Sequence, residues 1–484
     1  MKSDGDKKYK KDVTPLLRQC FVTAAVLSGA LGHGCGQGHV AVLVPQLQRP
    51  GAPIPLTASD ASWIASIIGP SFLMGNLLVP PLMSRLGRRR TTQAIAFLAL
   101  IGWFITIMAE NVWHLLIGKT FLSLTYGMSL PVRGVMLGEY TSPRYRGALL
   151  ATMALGHTSG LLIVHTLGSF FSWQLTALIV TSFQFACIVM TFYYPESPSY
   201  LVSIGKYDEC KKAYRWLRGE NEEDELRKMI EARSVINKQN TEDARQKPGF
   251  KKFIQVVRKP ELYKPIILMT HVYLLSQFSG ATILASYPMQ VLGNLLDPEA
   301  NLHFWMVFLD AQRLFGNALA LVVMNRVKRR MMIFSFGILS IVTQISLASY
   351  GYLRYNGMLV YKANWIPLLL INLQMFASAM GLVPTSGVMS GEVFPLQYRG
   401  IGGSVSLLFI SLTLFLDLKT FPTLVESIHL HGSYCIYSSI MVYALIIVWF
   451  RMPETKDRTL QDIEDEFRGA PLISTEEDIE KLKK

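Results

Sequence analysis

Long apolar runs alternate with short polar segments along nearly the whole chain. Each run approaches the ~20 residues an α-helix needs to cross a hydrocarbon core of ~30 Å. They fall at 20–46, 61–83, 92–109, 112–137, 148–170, 174–194, 265–292, 302–325, 331–352, 365–390, 402–422 and 432–450, which predicts twelve transmembrane helices. Segment 195–264 breaks the pattern with dense charge, as at Glu220 to Glu225 and Arg227-Lys228. Within it Leu201, Ile204, Ala213, Trp216 and Leu217 keep near-helical spacing around Gly205, so short amphipathic helices should lie against one membrane face. Leu460, Ile463 and Phe467 repeat that spacing after Pro453. Residues 55–67 read as a loop ending in a cap, with Ser59 or Asp60 accepting free amides where the second helix starts near Ala61.

The pattern is written twice in the same direction. PVRGVMLGEYTSPRYRG at 131–147 returns as PTSGVMSGEVFPLQYRG at 384–400, aligning Pro131, Glu139, Arg146 and Gly147 with Pro384, Glu392, Arg399 and Gly400. Gly75, Asn76, Arg85 and Arg88 recur as Gly316, Asn317, Arg326 and Arg329, and Pro195-Glu196-Ser197 as Pro453-Glu454-Thr455. The expected fold is an all-α membrane protein of two parallel six-helix halves with short cytosolic helices between them. Its parts would be a tail at 1–18, halves at 19–194 and 265–452, a linker at 195–264 and a second tail at 453–484.

Composition supports a lipid bilayer as the main surrounding. The 484 residues are 50% hydrophobic and 17% charged, with mean hydropathy +0.30, whereas soluble domains carry about 25% charged residues. A net charge of +13 could suggest nucleic acid. The basic residues instead gather in alternate connections: Lys7 to Lys11, a loop at 84–91, segment 195–264 and a loop at 326–330, with Arg49, Arg354 and Lys362 as exceptions. That bias places those segments and both termini in the cytosol, and nucleic acid is not a partner. The five cysteines form no Cys-x-x-Cys pair, so neither a disulfide nor a zinc role is expected. No Ser-His-Asp grouping, P-loop or metal-ligand spacing appears, which argues against an enzyme, a cofactor or a metal. The first apolar run lacks a small-residue cleavage site and reads as a retained helix.

Charged residues at the membrane edge carry the mechanistic reading. Glu139 and Glu392 close the fourth and tenth helices, and a carboxylate there is costly alone but cheap beside a guanidinium. Arg85, Arg88, Arg326 and Arg329 reach the same face, Arg146 and Arg399 start the following helices, and Glu196 and Glu454 complete the set. These would be latches that form in one state and loosen in another as two halves rock. His33 and His39 on the first helix are read either as satisfied by neighbouring helices or as contacts to a solute or proton. Arg313 lies thirteen residues before Arg326, about 20 Å along a helix, and so near the bilayer middle. It could pair with Asp310 one turn away or contact a polar or anionic solute.

The segments RLGRR at 85–89, PVRGVMLGEYTSPRYRG, PESPSYL at 195–201, SQFSG at 276–280, GEVFPLQYRG at 391–400 and PETKDRTL at 453–460 together resemble the sugar porter family of the major facilitator superfamily. SWIASI and AVLVPQL look most like its insect trehalose and glucose transporter branch. The resemblance implies a carrier in the plasma membrane, monomeric by default, that binds a small-molecule solute through Ser276, Gln277, Thr282 and Tyr287; Arg313, at a family cavity position by motif offset, and His39, from its place in the first apolar run, are expected as further contacts. It also exposes departures: Ser276 stands where the family has Gln, Thr282 where it has Asn, and Ala154, Gly387, Ile410 and Ser411 replace further polar or aromatic contacts. Gly38 occupies the position of an Asp in proton-coupled relatives, so facilitated diffusion of a sugar, trehalose or a hexose, is the expected activity. The alternatives are proton-coupled transport of a sugar or organic anion through His39 or Asp310, and a non-transporting sugar sensor.

Overall fold

The computed structural model describes residues 13–219, 259–324, 326–359, 363–394, 399–456, 458 and 460–469. Its elements are α1 (Val13–Leu47), α2 (Ala58–Ser66), α3 (Ile68–Ile107), α4 (Val112–Tyr140), α5 (Pro143–Phe170), α6 (Trp173–Thr191), α7 (Pro198–Ser203), α8 (Tyr207–Arg218), α9 (Pro260–Gln277), α10 (Ala281–Ser286), α11 (Pro288–Leu295), α12 (Leu302–Val323), α13 (Arg329–Tyr355), α14 (Trp365–Ala377), a π-helical turn (Ser378–Leu382), α15 (Val383–Glu392), α16 (Arg399–Arg451) and α17 (Leu460–Arg468). By length and hydropathy eight stretches of the described residues could cross a membrane, two of them 50 residues long. Each long stretch is two spans joined at a single residue with positive φ, Gly87 (83°) in α3 and His429 (61°) in α16. With α5 and the broken pair α9 and α10, the spans number twelve among the described residues.

The joints correct the expected connections. Instead of a loop at 84–91, helix runs to Leu86 and restarts at Arg88, and α13 begins at Arg329 inside the expected 326–330 loop. Gly87 is required twice over: its φ is left-handed, and a Cβ there would lie 2.5 Å from the Glu196 carboxylate. The second helix begins at Ala58, earlier than expected, because Thr57 is the N-cap. Its hydroxyl accepts from the Asp60 amide while the Asp60 carboxylate accepts from Thr57, a reciprocal capping box.

Between α9 and α10 the chain breaks at Phe278 to Gly280, where Gly280 has φ 93°. Backbone carbonyls freed inside a bilayer need partners. Gln344 donates to the Phe278 carbonyl at 2.8 Å, and Gln374 and Ser378 donate to that of Ser279 at 2.9 and 3.3 Å. The π-helical turn lies alongside this break, so both irregular segments support each other.

Helices α1 to α6 form one group and α9 to α16 the other. Their joining contacts are uneven. At the far end, opposite Arg88 and Arg329, Ser62 Oγ donates to the Lys419 carbonyl at 2.9 Å, Lys419 Nζ sits 3.9 Å over the Trp63 ring, and Trp63 packs against Phe415. Nearer the middle, His165 meets Asp310 and Asn317 donates to Thr158 at 2.8 Å. At the basic end, among the described residues, a Cβ added to Gly134 or Gly138 on α4, or to Gly387 on α15, would meet nothing within 4 Å. The described residues therefore close the far face and leave the groups apart between α4 and α15 at the basic face.

The linker helices lie on that basic face. Leu201, Ala213 and Leu217 are buried as expected, Gly205 breaks the pair at φ 78°, and Arg18 covers the half-buried Trp216 ring at 5.2 Å. Ile204 departs from the expected apolar stripe and is 45% exposed, because it caps α7 instead of continuing it. The charged runs expected at 220–228 lie outside the described residues. On α17, Ile463 and Phe467 are buried, and Lys264 donates to the Phe467 carbonyl at 2.6 Å.

Candidate functional site

Two charge clusters at the basic face are built by the same rule. Arg88 opens the second part of α3 and Glu139 ends α4; the guanidinium grips the carboxylate with two bonds of 2.8 and 2.7 Å. Ser197 Oγ donates to the same carboxylate. Glu196 accepts from the Arg88 and Arg89 amides at 2.8 and 3.0 Å, an anion seated on a helix N-terminus. In the second group Arg329 Nη2 donates to Glu392 at 3.1 Å, Thr455 Oγ1 donates to Glu392 at 2.7 Å, and Glu454 accepts from the Arg329 and Arg330 amides at 3.0 and 3.1 Å. Every member recurs at its repeat position.

Arg85 and Arg326 do not join these clusters as expected. Both side chains are exposed, and Arg85 contributes its carbonyl, which accepts from the Tyr200 hydroxyl at 2.9 Å. Arg146 and Arg399 stand in the first turns of α5 and α16, but their side chains lie outside the described residues. Sequence reading missed the neighbours that anchor the clusters sideways: Arg89 donates to the Phe192 carbonyl, and Arg330 to those of Met452 and Trp449.

Between the groups lies a cavity of about 220 Å³ whose polar lining includes Gln37, His157, Gln277, Thr282, Arg313 and Asn317. Gln37 bonds the His157 ring at 2.9 Å, the Tyr126 ring stacks on that imidazole with centroids 5.1 Å apart, and Thr282 donates to Gln277 at 2.9 Å. Ser276 and Ile410 line it too. Four expected solute contacts, Ser276, Gln277, Thr282 and Arg313, are thus brought together. Arg313 keeps Asp310 at 3.7 Å, yet the nearer partner of Asp310 is His165 of the other group.

Two expected contacts belong elsewhere. Tyr287, at the joint between α10 and α11, lines a separate vestibule of about 600 Å³ at the far face, and its buried hydroxyl donates to the Leu418 carbonyl at 3.2 Å. His39 is fully buried inside the first group, held by the Trp173 carbonyl at 2.9 Å and Lys119 Nζ at 3.2 Å, and does not reach the cavity. His33 is buried as well, its Nδ1 2.8 Å from Arg133 Nη2, while its Nε2 has no hydrogen-bond partner among the described residues. The buried cations Lys119 and Arg133, the pair His157 and His165, and the buried Asp417 were not singled out from sequence. The histidines carried a readable signal: eight residues apart on one apolar helix, they share a face.

The comparisons agree with this geometry. Residues 14–467 match the family described as sugar (and other) transporter. A facilitated trehalose transporter Tret1 of Apis mellifera ligustica is 27% identical over 96% of this chain and 91% of its own length; one from Aedes aegypti is 26% identical over 96% of this chain but only 58% of its own. Among solved structures, the inward open conformation of the xylose transporter XylE from E. coli superposes with TM-score 0.75 at 16% identity, covering 93% of this chain and 99% of that one. The same proton:xylose symporter bound to 6-bromo-6-deoxy-D-glucose gives 0.69 at 18% identity, covering 94% and 99%. These likenesses establish the major facilitator fold, and the match across nearly the whole length places the chain in the sugar (and other) transporter family.

Proposed function

We propose that this chain carries a small sugar across the plasma membrane by facilitated diffusion, its two six-helix halves rocking about the central cavity. The observation that carries the reading is the cavity between the groups, sealed toward the far face by Trp63, Phe415 and Lys419 and open toward the basic face, with matched latches on both halves. The basic face and both termini are cytosolic in this reading, following the positive-inside bias, and the monomer is the working unit. Its domains follow the repeat: halves at 19–194 and 265–452, joined by the linker at 195–264. The relatives named as trehalose transporters make trehalose and glucose the first solutes to try.

Radiolabelled trehalose and glucose uptake in oocytes tests this. Saturable uptake that survives a protonophore, falls with Gln277→Ala and persists in the surface variant Glu110→Gln is the expected result. A surface-localised chain that takes up no sugar contradicts it and returns the sensor reading. One observation favours a second reading: the His165 to Asp310 contact joins the halves, so a proton held there would move with the rocking. Uptake accelerated by outside acid and abolished by the protonophore selects proton coupling instead.

A further inference from the structure

We propose that the cavity selects a sugar bearing a carboxylate, a sugar acid, and that Arg313 reads the charge; this rests on the carrier reading above. A guanidinium offers five N–H donors. In the cavity wall Arg313 spends one on the Ala281 carbonyl at 3.1 Å and one on the Met375 sulfur at 3.3 Å, both uncharged acceptors. Asp310 lies 3.7 Å away, beyond hydrogen-bond reach.

Nor does Asp310 serve it alone. Its other oxygen is bonded by His165 Nδ1, while His165 Nε2 faces the Gly38 carbonyl at 3.1 Å. Asp310 is thus divided between His165, which it meets directly, and Arg313, which it reaches only at 3.7 Å. On α4, Arg133 adds to the positive field: it is buried and bonds a histidine and a carbonyl of α1, His33 and Gly29. Asp417 and Glu261, the other buried carboxyls among the described residues of the spans, do not line the cavity. A buried cation in a bilayer that faces a cavity marks a ligand pathway, and a carboxylate can accept from the N–H groups that Arg313 has left. Gln37, His157, Gln277 and Asn317 remain for ring hydroxyls.

The test is calorimetric binding of D-glucuronate and D-glucose to the purified full chain, with Arg313→Gln and Arg313→Lys beside it. The expected result is glucuronate at least about tenfold tighter than glucose, a ratio that falls to near one in Arg313→Gln and to an intermediate value in Arg313→Lys. Glucose as tight as glucuronate in the native chain overturns the proposal, as does a ratio untouched by Arg313→Gln. The native ratio needs no variant, so misfolding of Arg313→Gln leaves the test standing. A chain that binds and moves glucose while ignoring glucuronate keeps the carrier reading and loses this one; a chain that neither binds nor moves any sugar loses both.

Discussion

The two halves share their latches and differ in their interiors. At the basic face Arg88, Glu139, Glu196 and Ser197 are matched by Arg329, Glu392, Glu454 and Thr455. Inside, the first half packs unbroken helices around Lys119, Arg133 and three histidines, all buried, while the second breaks its first span at Gly280 and supports the break with Gln344, Gln374 and Ser378. The difference separates two tasks. What must move in concert has stayed duplicated; what meets the cargo has diverged.

The largest expected effect lies where the halves touch. Asp310→Ala removes the partner of both His165 and Arg313, and breaking a buried pair by deleting one member costs about 3–5 kcal/mol. Thermal unfolding in detergent should show this as the steepest loss of any single variant in the series, and a transition within a degree or two of the native one would contradict a buried inter-half contact.

Next comes the backbone under the latches. Glu196 is seated by Gly87 at φ 83°, whereas the corresponding Lys328 has φ −64°. The same latch thus rests on two different joints. Gly87→Ala should destabilise by about 1–3 kcal/mol through left-handed strain and the contact with Glu196. Lys328→Ala, exposed and unstrained, should stay within about 0.5 kcal/mol. Equal effects at the two sites would erase the distinction.

The latches should themselves be unequal. Arg88 grips Glu139 with two bonds and Arg329 grips Glu392 with one, so Glu139→Gln should slow uptake more than Glu392→Gln. Both pairs are part-exposed, so the stability cost of either should be only about 1 kcal/mol. The smallest effect is expected for Arg85→Ala or Arg326→Ala, exposed beside the latches and outside them; uptake kinetics should not change measurably.

The latches and the fold class were legible because both depend on residue type at fixed spacing: apolar runs of bilayer length, and acid and base repeated in matching order. What failed depends on direction. Arg85 and Arg88 are one helical turn apart in sequence, yet the joint at Gly87 swings only the second toward Glu139. Tyr287 rests on analogy of position and His39 on its place in an apolar run, and neither a helix's rotation nor a break such as the one after α10 can be read from a linear string. The contact of His165 with Asp310 joins residues 145 apart on different halves, and no local pattern announces such a meeting.

The opening between α4 and α15 at the basic face is the central claim. Spin labels at Gly138→Cys and Gly391→Cys, in a background lacking the exposed Cys20 and Cys435, report it by double electron–electron resonance. The expected result is a long distance without cargo, and a second, shorter population when Trp63→Ala and Lys419→Ala loosen the far face. A single distance that ignores both the far-face variants and saturating cargo would contradict a rocking pair of halves.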